Sequence, residues 1–248
     1  MKNKIPKNFQ IINYIMSSQM FKAIFITTIL VSLIGSGVLT GKNYIESILI
    51  AFQNPIFNIM IFTLAFLNTI NACTVFDKKI SFYIIRLKNK KNYMIEIIKN
   101  TIILTLIYLL ILYLMYFMIL NLEQFGQFKI EPYLNYGITN LTYVIFYLIK
   151  YTILVVLINV ISALVYLSLK NKWTILIDSL FLIGFMLAGN DAAPIDTFSL
   201  NIWGYFGGII FSSFTQEICC SILYILILEI ICLSIFTITL KRKKLTIG

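Results

Sequence analysis

The sequence predicts an all-α polytopic membrane protein with six transmembrane helices, an amphipathic amino-terminal interfacial helix and both termini in the cytoplasm. Three observations carry that expectation. Of 248 residues, 60% are hydrophobic and 12% charged, at a mean hydropathy of +0.91, whereas a soluble domain carries about 25% charged residues. Apolar stretches of spanning length recur at about 21–39, 56–76, 101–120, 147–169, 173–190 and 218–240, each close to the roughly 20 residues that cross a bilayer as a helix. Basic residues alternate with those stretches. Lys2, Lys4, Lys7 and Lys22, the run from Lys78 to Lys99, Lys170 with Lys172, and Lys241 to Lys244 fall on one side of the chain's path. The other side keeps Lys42, Lys129 and Lys150 among acidic residues such as Glu46, Glu131 and Glu217. Because cytoplasmic loops retain positive charge, the asymmetry orients the chain.

The elements follow in order within one membrane domain, 1–248. Phe9, Ile12, Met16 and Met20 fall three and four apart, which gives residues 1–20 one apolar face and predicts a helix along the inner leaflet that bends inward near Phe21. Thr28, Ser32 and Ser36 repeat every fourth residue in the first span, and Asn68 and Asn71 stand three apart in the second. Either stripe serves helix packing or a polar path. The connection at 77–100, FDKKISFYIIRLKNKKNYMIEIIKN with its preceding Phe76, is the most charged stretch of the chain. Its Ile80, Ile84 and Leu87 share one helical face and Lys79, Phe82 and Arg86 another, the pattern of a helix lying at the cytoplasmic surface. Residues Phe125 to Tyr147 are expected to hold a further outer-surface helix. The 191–217 segment is apolar but broken by Pro194, Gly204, Gly207 and Gly208, which predicts an extracellular re-entrant segment rather than a seventh span.

Ionisable groups inside the apolar stretches cost roughly 2.5 to 3.5 kcal/mol each at the centre of a span and tend to face protein or water. Asp178 and Glu229 are such groups, and with Asn68 and Asn71 they are candidates for a polar path or for interhelical bonds. Glu229 precedes Lys241 by about three helical turns, near mid-membrane. Lys150, closer to the outer surface, is expected to snorkel outward.

Several chemistries are excluded. The chain has no histidine, so the commonest general base at neutral pH is missing. Cys73, Cys219, Cys220 and Cys232 lie in or beside apolar runs without the spacing of a zinc site. GSGVLTGKN at 35–43 departs from phosphate-loop spacing, and Asn43 stands where a hydroxyl would hold magnesium. There is no HExxH and no G-x-S-x-G. The net charge of +10 follows from orientation and anionic lipid head groups, so nucleic acid is not an expected partner. Abundant Ile, Lys, Asn, Phe and Tyr with little Ala, Gly or Pro suit an AT-rich bacterial genome and a bacterial plasma membrane.

The layout of amphipathic start, six spans, basic loop after the second and broken outer segment before the sixth resembles the permease subunits of ABC-2-type bacterial exporters. Asp77 stands at that family's acidic position, Ser81 at the small polar one, Ile84, Ile85 and Leu87 at the apolar ones, and Lys99 at the lysine that opens span three. The chain departs by lacking a glycine near position 80 and the turn proline, where KNKKN at 88–92 stands instead. The resemblance implies a coupling helix over 78–87 that docks on a separate ATPase. Asp77, Lys78, Lys79, Ile80, Ser81, Tyr83, Ile84, Arg86, Leu87 and Lys99 would form that interface. It also implies two ATPase subunits, a second permease that is the same chain or a relative, and no cofactor on this chain, with ATP and Mg held by the ATPase. This chain is then not itself an enzyme. The cargo expected is an amphipathic or antimicrobial peptide, with lipid or a hydrophobic drug as alternatives. A non-ABC transporter, channel or assembly factor is the other class compatible with the residues.

Overall fold

The computed structural model describes residues 15–16, 18–38, 43–78, 90–123, 128–133, 136–169, 171–188, 211 and 213–241. Within these the chain is all-helical: α1 Gln19–Val38, α2 Tyr44–Gln53, α3 Pro55–Lys78, α4 Lys90–Glu123, α5 Asn140–Leu169, α6 Asn171–Ala188 and α7 Phe214–Lys241. No strand forms among the described residues; Pro132 and Thr139 make one isolated antiparallel bridge. By length and composition, α3, α4, α5 and α7 are able to cross a membrane, while the apolar parts of α1 and α6, Gln19–Gly35 and Trp173–Gly184, are shorter. The chain is therefore a helical, multi-pass membrane protein.

Hydrogen bonds between helices set their directions. Tyr108 on α4 donates to the Ile61 carbonyl on α3 at 3.1 Å, and Asn68 on α3 donates to the Leu104 carbonyl at 3.5 Å, so α3 and α4 are antiparallel. Tyr151 meets Asn58, and Asn159 meets Thr69, so α5 runs parallel to α3. Lys150 meets Glu217 and Ser168 meets Thr239, so α7 runs parallel to α5. Two helices, α3 and α5, occupy the centre; α1 packs against α3 and α4, α4 and α6 each against both central helices, and α7 mainly against α5.

Local chemistry explains where the helices break. Asn43 caps α2 by accepting the Glu46 N–H at 2.8 Å. Asn54 then caps α3, its Oδ1 accepting from the Ile56 and Phe57 N–H groups at 2.9 and 3.1 Å, with Pro55 at the first helical position where its missing N–H is harmless. Thr139 accepts the Thr142 N–H and Ser213 the Gln216 N–H, starting α5 and α7. Between α4 and α5, Gly137 adopts a left-handed φ of 68° in a reversal closed by Tyr133 N–H to the Ile138 carbonyl at 2.9 Å. Gly35 of α1 lies against Phe57, and a Cβ there would stand 2.5 Å from the ring. That glycine serves close helix packing.

The fold differs from the sequence expectations in four places. Helix α2 was not foreseen, because its ten residues are too short for a span. Helix α4 starts at Lys90 instead of near 101, since KKNYMIEIIKN continues the helical period of the span it enters. Of the stretch Phe125 to Tyr147, the described residues 128–133 and 136–139 are not helical and α5 already begins at Asn140, so no separate outer-surface helix forms among them. The 191–217 segment ends in the first turn of α7, because Ser213 caps that helix. Residues 1–14 of the interfacial helix, 79–89 of the coupling stretch and 191–210 of the re-entrant segment lie outside the described residues.

Candidate functional site

Breaking a helix at a proline frees backbone carbonyls, and inside a membrane each must find another donor. Pro55 has no N–H for Ala51, whose carbonyl instead takes the Asn54 N–H at 3.1 Å. The Phe52 carbonyl loses Ile56 to the Asn54 cap and accepts from Asn58 Nδ2 at 2.8 Å and from the Tyr147 hydroxyl at 2.9 Å. Asn58 in turn accepts from the Tyr151 hydroxyl at 2.6 Å, and Tyr116 reaches the Ser47 carbonyl at 3.2 Å. Tyr143, Tyr147 and Tyr151 stand every fourth residue on one face of α5, and Tyr147 and Tyr151 reach the break. Phe52 sits edge-on to Phe57, Tyr113, Tyr116 and Tyr151 at 5.4 to 5.5 Å, a geometry favoured by ring quadrupoles.

One turn along from this cluster lies an ion pair. Lys150 Nζ is 2.7 Å from Glu217 Oε1, with the side chains 4% and 1% exposed. The same oxygen accepts the Tyr143 hydroxyl at 3.2 Å. The ammonium also sits 5.0 Å from the Tyr147 ring centre and 5.5 Å from that of Phe146, so its other faces meet π-electron density in place of water. Tyr133 stacks on Tyr143 at 3.9 Å and 14°, while the Tyr136 hydroxyl accepts the Phe211 N–H at 3.1 Å. Burial, and then the Glu217 carboxylate, push the Tyr136 phenol up to about 12. Glu217 Oε2 is buried and has no hydrogen-bond partner. Lys150 therefore does not snorkel outward: a carboxylate from α7 meets it inside, and staying in costs less than dragging a long stem past Tyr143 and Phe146.

The expected polar residues take separate places. Asn68 bonds the Leu104 carbonyl through Nδ2, while its Oδ1, like the nearby Thr101 hydroxyl, is buried without a partner. Asn71 donates to the Ser18 hydroxyl at 3.1 Å, ahead of α1. Asp178 on α6 accepts from the Ser162 hydroxyl on α5 at 2.8 Å. Glu229 is exposed on α7, away from all three. Asn68, Asn71 and Asp178 thus each join two parts of the bundle. Of the coupling residues, Asp77 and Lys78 close α3, Lys79 to Leu87 lie outside the described residues, and Lys99 is exposed on α4, 3.8 Å from Glu96. Among the described residues no group of three or more Cys, Asp or Glu side chains is placed to hold a metal ion.

Sequence reasoning passed over the pairing of Lys150 with Glu217. The signal was present: a lysine inside an apolar helix, the Tyr143, Tyr147 and Tyr151 repeat beside it, and a glutamate just behind a Ser cap. Compared with protein-family models, with curated proteins and with solved structures, the chain matches none.

Proposed function

We propose that this chain is the membrane-spanning permease subunit of an ATP-driven exporter of the ABC-2 type, with six spans, both termini in the cytoplasm of a bacterial cell, and amphipathic or antimicrobial peptides as cargo. One observation carries the reading. The most basic stretch of the chain joins α3 to α4, and these two helices are bonded to each other at Tyr108 with Ile61 and at Asn68 with Leu104. Helix α3 is also bonded to α5 through Tyr151 and Asn159. A force applied at 77–99 by a nucleotide-driven partner would reach the centre of the bundle through α3 and α4. The sequence carries no phosphate-loop motif, and in this reading hydrolysis falls to a separate ATPase that holds Mg and nucleotide.

The test is co-purification of the chain with any ATPase encoded beside it, in wild-type form and with Lys79→Glu and Arg86→Glu together. The expected result is a stable complex that the double reversal dissolves while the permease still inserts. A complex that survives the reversal with transport intact overturns the coupling assignment. Absence of any ATPase partner, with transport by the chain alone, moves the chain to the non-ABC class.

A further inference from the structure

Glu217 and Ser221 stand one turn apart on the same face of α7, and both are buried, Glu217 at 0% and Ser221 at 4% exposure. Glu217 Oε2 and Ser221 Oγ nevertheless have no hydrogen-bond partner within the chain. Buried polar atoms of this kind are rare in folded proteins, and two of them on one helical face call for a common cause. Ser221 is unusual for a second reason. Hydroxyls elsewhere in the helices donate back to the carbonyl four residues earlier: Thr28 to Ile24 at 2.7 Å, and Thr152 to Leu148, Ser168 to Leu164 and Ser234 to Ile230 at 2.8 Å. That is the local solution open to any serine or threonine inside a helix. For Ser221 the matching acceptor would be the Glu217 carbonyl, and its hydroxyl takes neither that carbonyl nor the carboxylate of the same residue.

We propose that one water molecule is held between Glu217 Oε2 and Ser221 Oγ, as a built-in part of the anchor that ties α7 to α5. Size and charge both select it. Side chains four apart on a helix have Cβ atoms about 5 to 6 Å apart, and a single water about 2.8 Å from each oxygen spans a gap of that order. Lys150 Nζ, 2.7 Å from Oε1, already balances the carboxylate, so a further cation would leave the buried site positive and an anion would face Glu217. A neutral donor meets neither penalty. The carboxylate oxygen can only accept, while the Ser221 hydroxyl can donate or accept, so water gives a proton to one and shares a bond with the other. Two polar partners are the minimum that a buried water needs. Ser213, exposed one turn before Glu217, marks a short way in. With Oε2 bonded, the carboxylate keeps its charge beside Lys150, because a buried ion pair holds well only when its remaining lone pairs are satisfied too.

The test uses the purified full chain in lipid vesicles and a brief X-ray pulse, which turns water into hydroxyl radicals that oxidise the side chains nearest to it. Tyr143, whose hydroxyl donates to the other carboxylate oxygen at 3.2 Å, should be oxidised. Tyr116, as deeply buried and bonded to the Ser47 carbonyl, should stay protected. Ser221→Val puts methyl groups in place of the hydroxyl and should bring Tyr143 down to the level of Tyr116. Should the valine variant insert poorly, Ser221→Ala takes its place, and the water, left with one partner, should give a partial loss of oxidation at Tyr143. A Tyr143 as protected as Tyr116 in the parent chain overturns the proposal, and so does oxidation of Tyr143 that a folded Ser221 variant leaves unchanged. The readout involves no ATPase, so failure of the co-purification above would leave the water site standing.

Discussion

Two glutamates on α7, three turns apart, meet opposite fates. Glu217 is buried against Lys150, Tyr143 and a stack of aromatic rings; Glu229 stands exposed on a strip of leucine and isoleucine. The difference lies in the neighbouring helix. At the level of Glu217, α5 offers a lysine and three tyrosines. Farther along, around Leu157, it offers Cys232 of α7 only a carbonyl, at 3.9 Å. One helix is thereby tied to α5 near both ends, at Glu217 and at Thr239 with Ser168, while its outward face stays exposed.

Breaking the anchor is expected to have the largest effect. Lys150→Met leaves Glu217 as a buried, uncompensated charge, which typically costs about 3 to 5 kcal/mol, and Glu217→Leu strands Lys150 in the same way. Lys150→Met with Glu217→Leu removes both charges and should recover most of that loss. Thermal unfolding in detergent, followed by size-exclusion of the monomer peak, separates the cases. Single variants as stable as the parent would mean that the pair is not buried in the membrane-embedded protein.

The next effect tests the packing that surrounds the break at Pro55. Gly35→Ala drives a methyl group into Phe57, and overpacking of this kind costs about 1 to 3 kcal/mol. A Phe57→Leu change made alongside should relieve it. If Gly35→Ala alone proves neutral in the same melting assay, α1 does not approach α3 as closely as the ring contact requires.

A smaller loss is expected at Tyr147→Phe. The Phe52 carbonyl would keep Asn58 Nδ2 and lose one of its two donors, a change of about 0.5 to 1.5 kcal/mol. Tyr143→Phe should cost more, about 1.5 to 3 kcal/mol, because its acceptor is a carboxylate oxygen. Equal losses from the two would show that Glu217 is not charged where it sits.

The legibility of these features in the sequence follows the range of the interactions behind them. Hydropathy and the placement of lysines located six of the helices, because both act segment by segment. The α2–α3 break was readable in principle from Asn54 and Pro55, a cap followed by proline, yet it lay beside a span and was absorbed into its boundary. The pairing of Lys150 with Glu217 bridges 67 positions, and nothing local in either residue selects the other; only the fold brings α5 and the start of α7 together. Asp178 shows the middle case, since Ser162 is 16 positions away across a short turn and the hairpin between α5 and α6 is itself dictated locally.

The open strip on α7 is expected to show the smallest effect, and its smallness is informative. Leu233 is 64% exposed, so Leu233→Ala in the isolated chain removes almost no internal contact and should change its stability by no more than about 0.5 kcal/mol. Unchanged melting keeps the division of α7 between a face packed on α5 and an exposed outward face. Reduced melting would place Leu233 inside the chain's own core and remove the division.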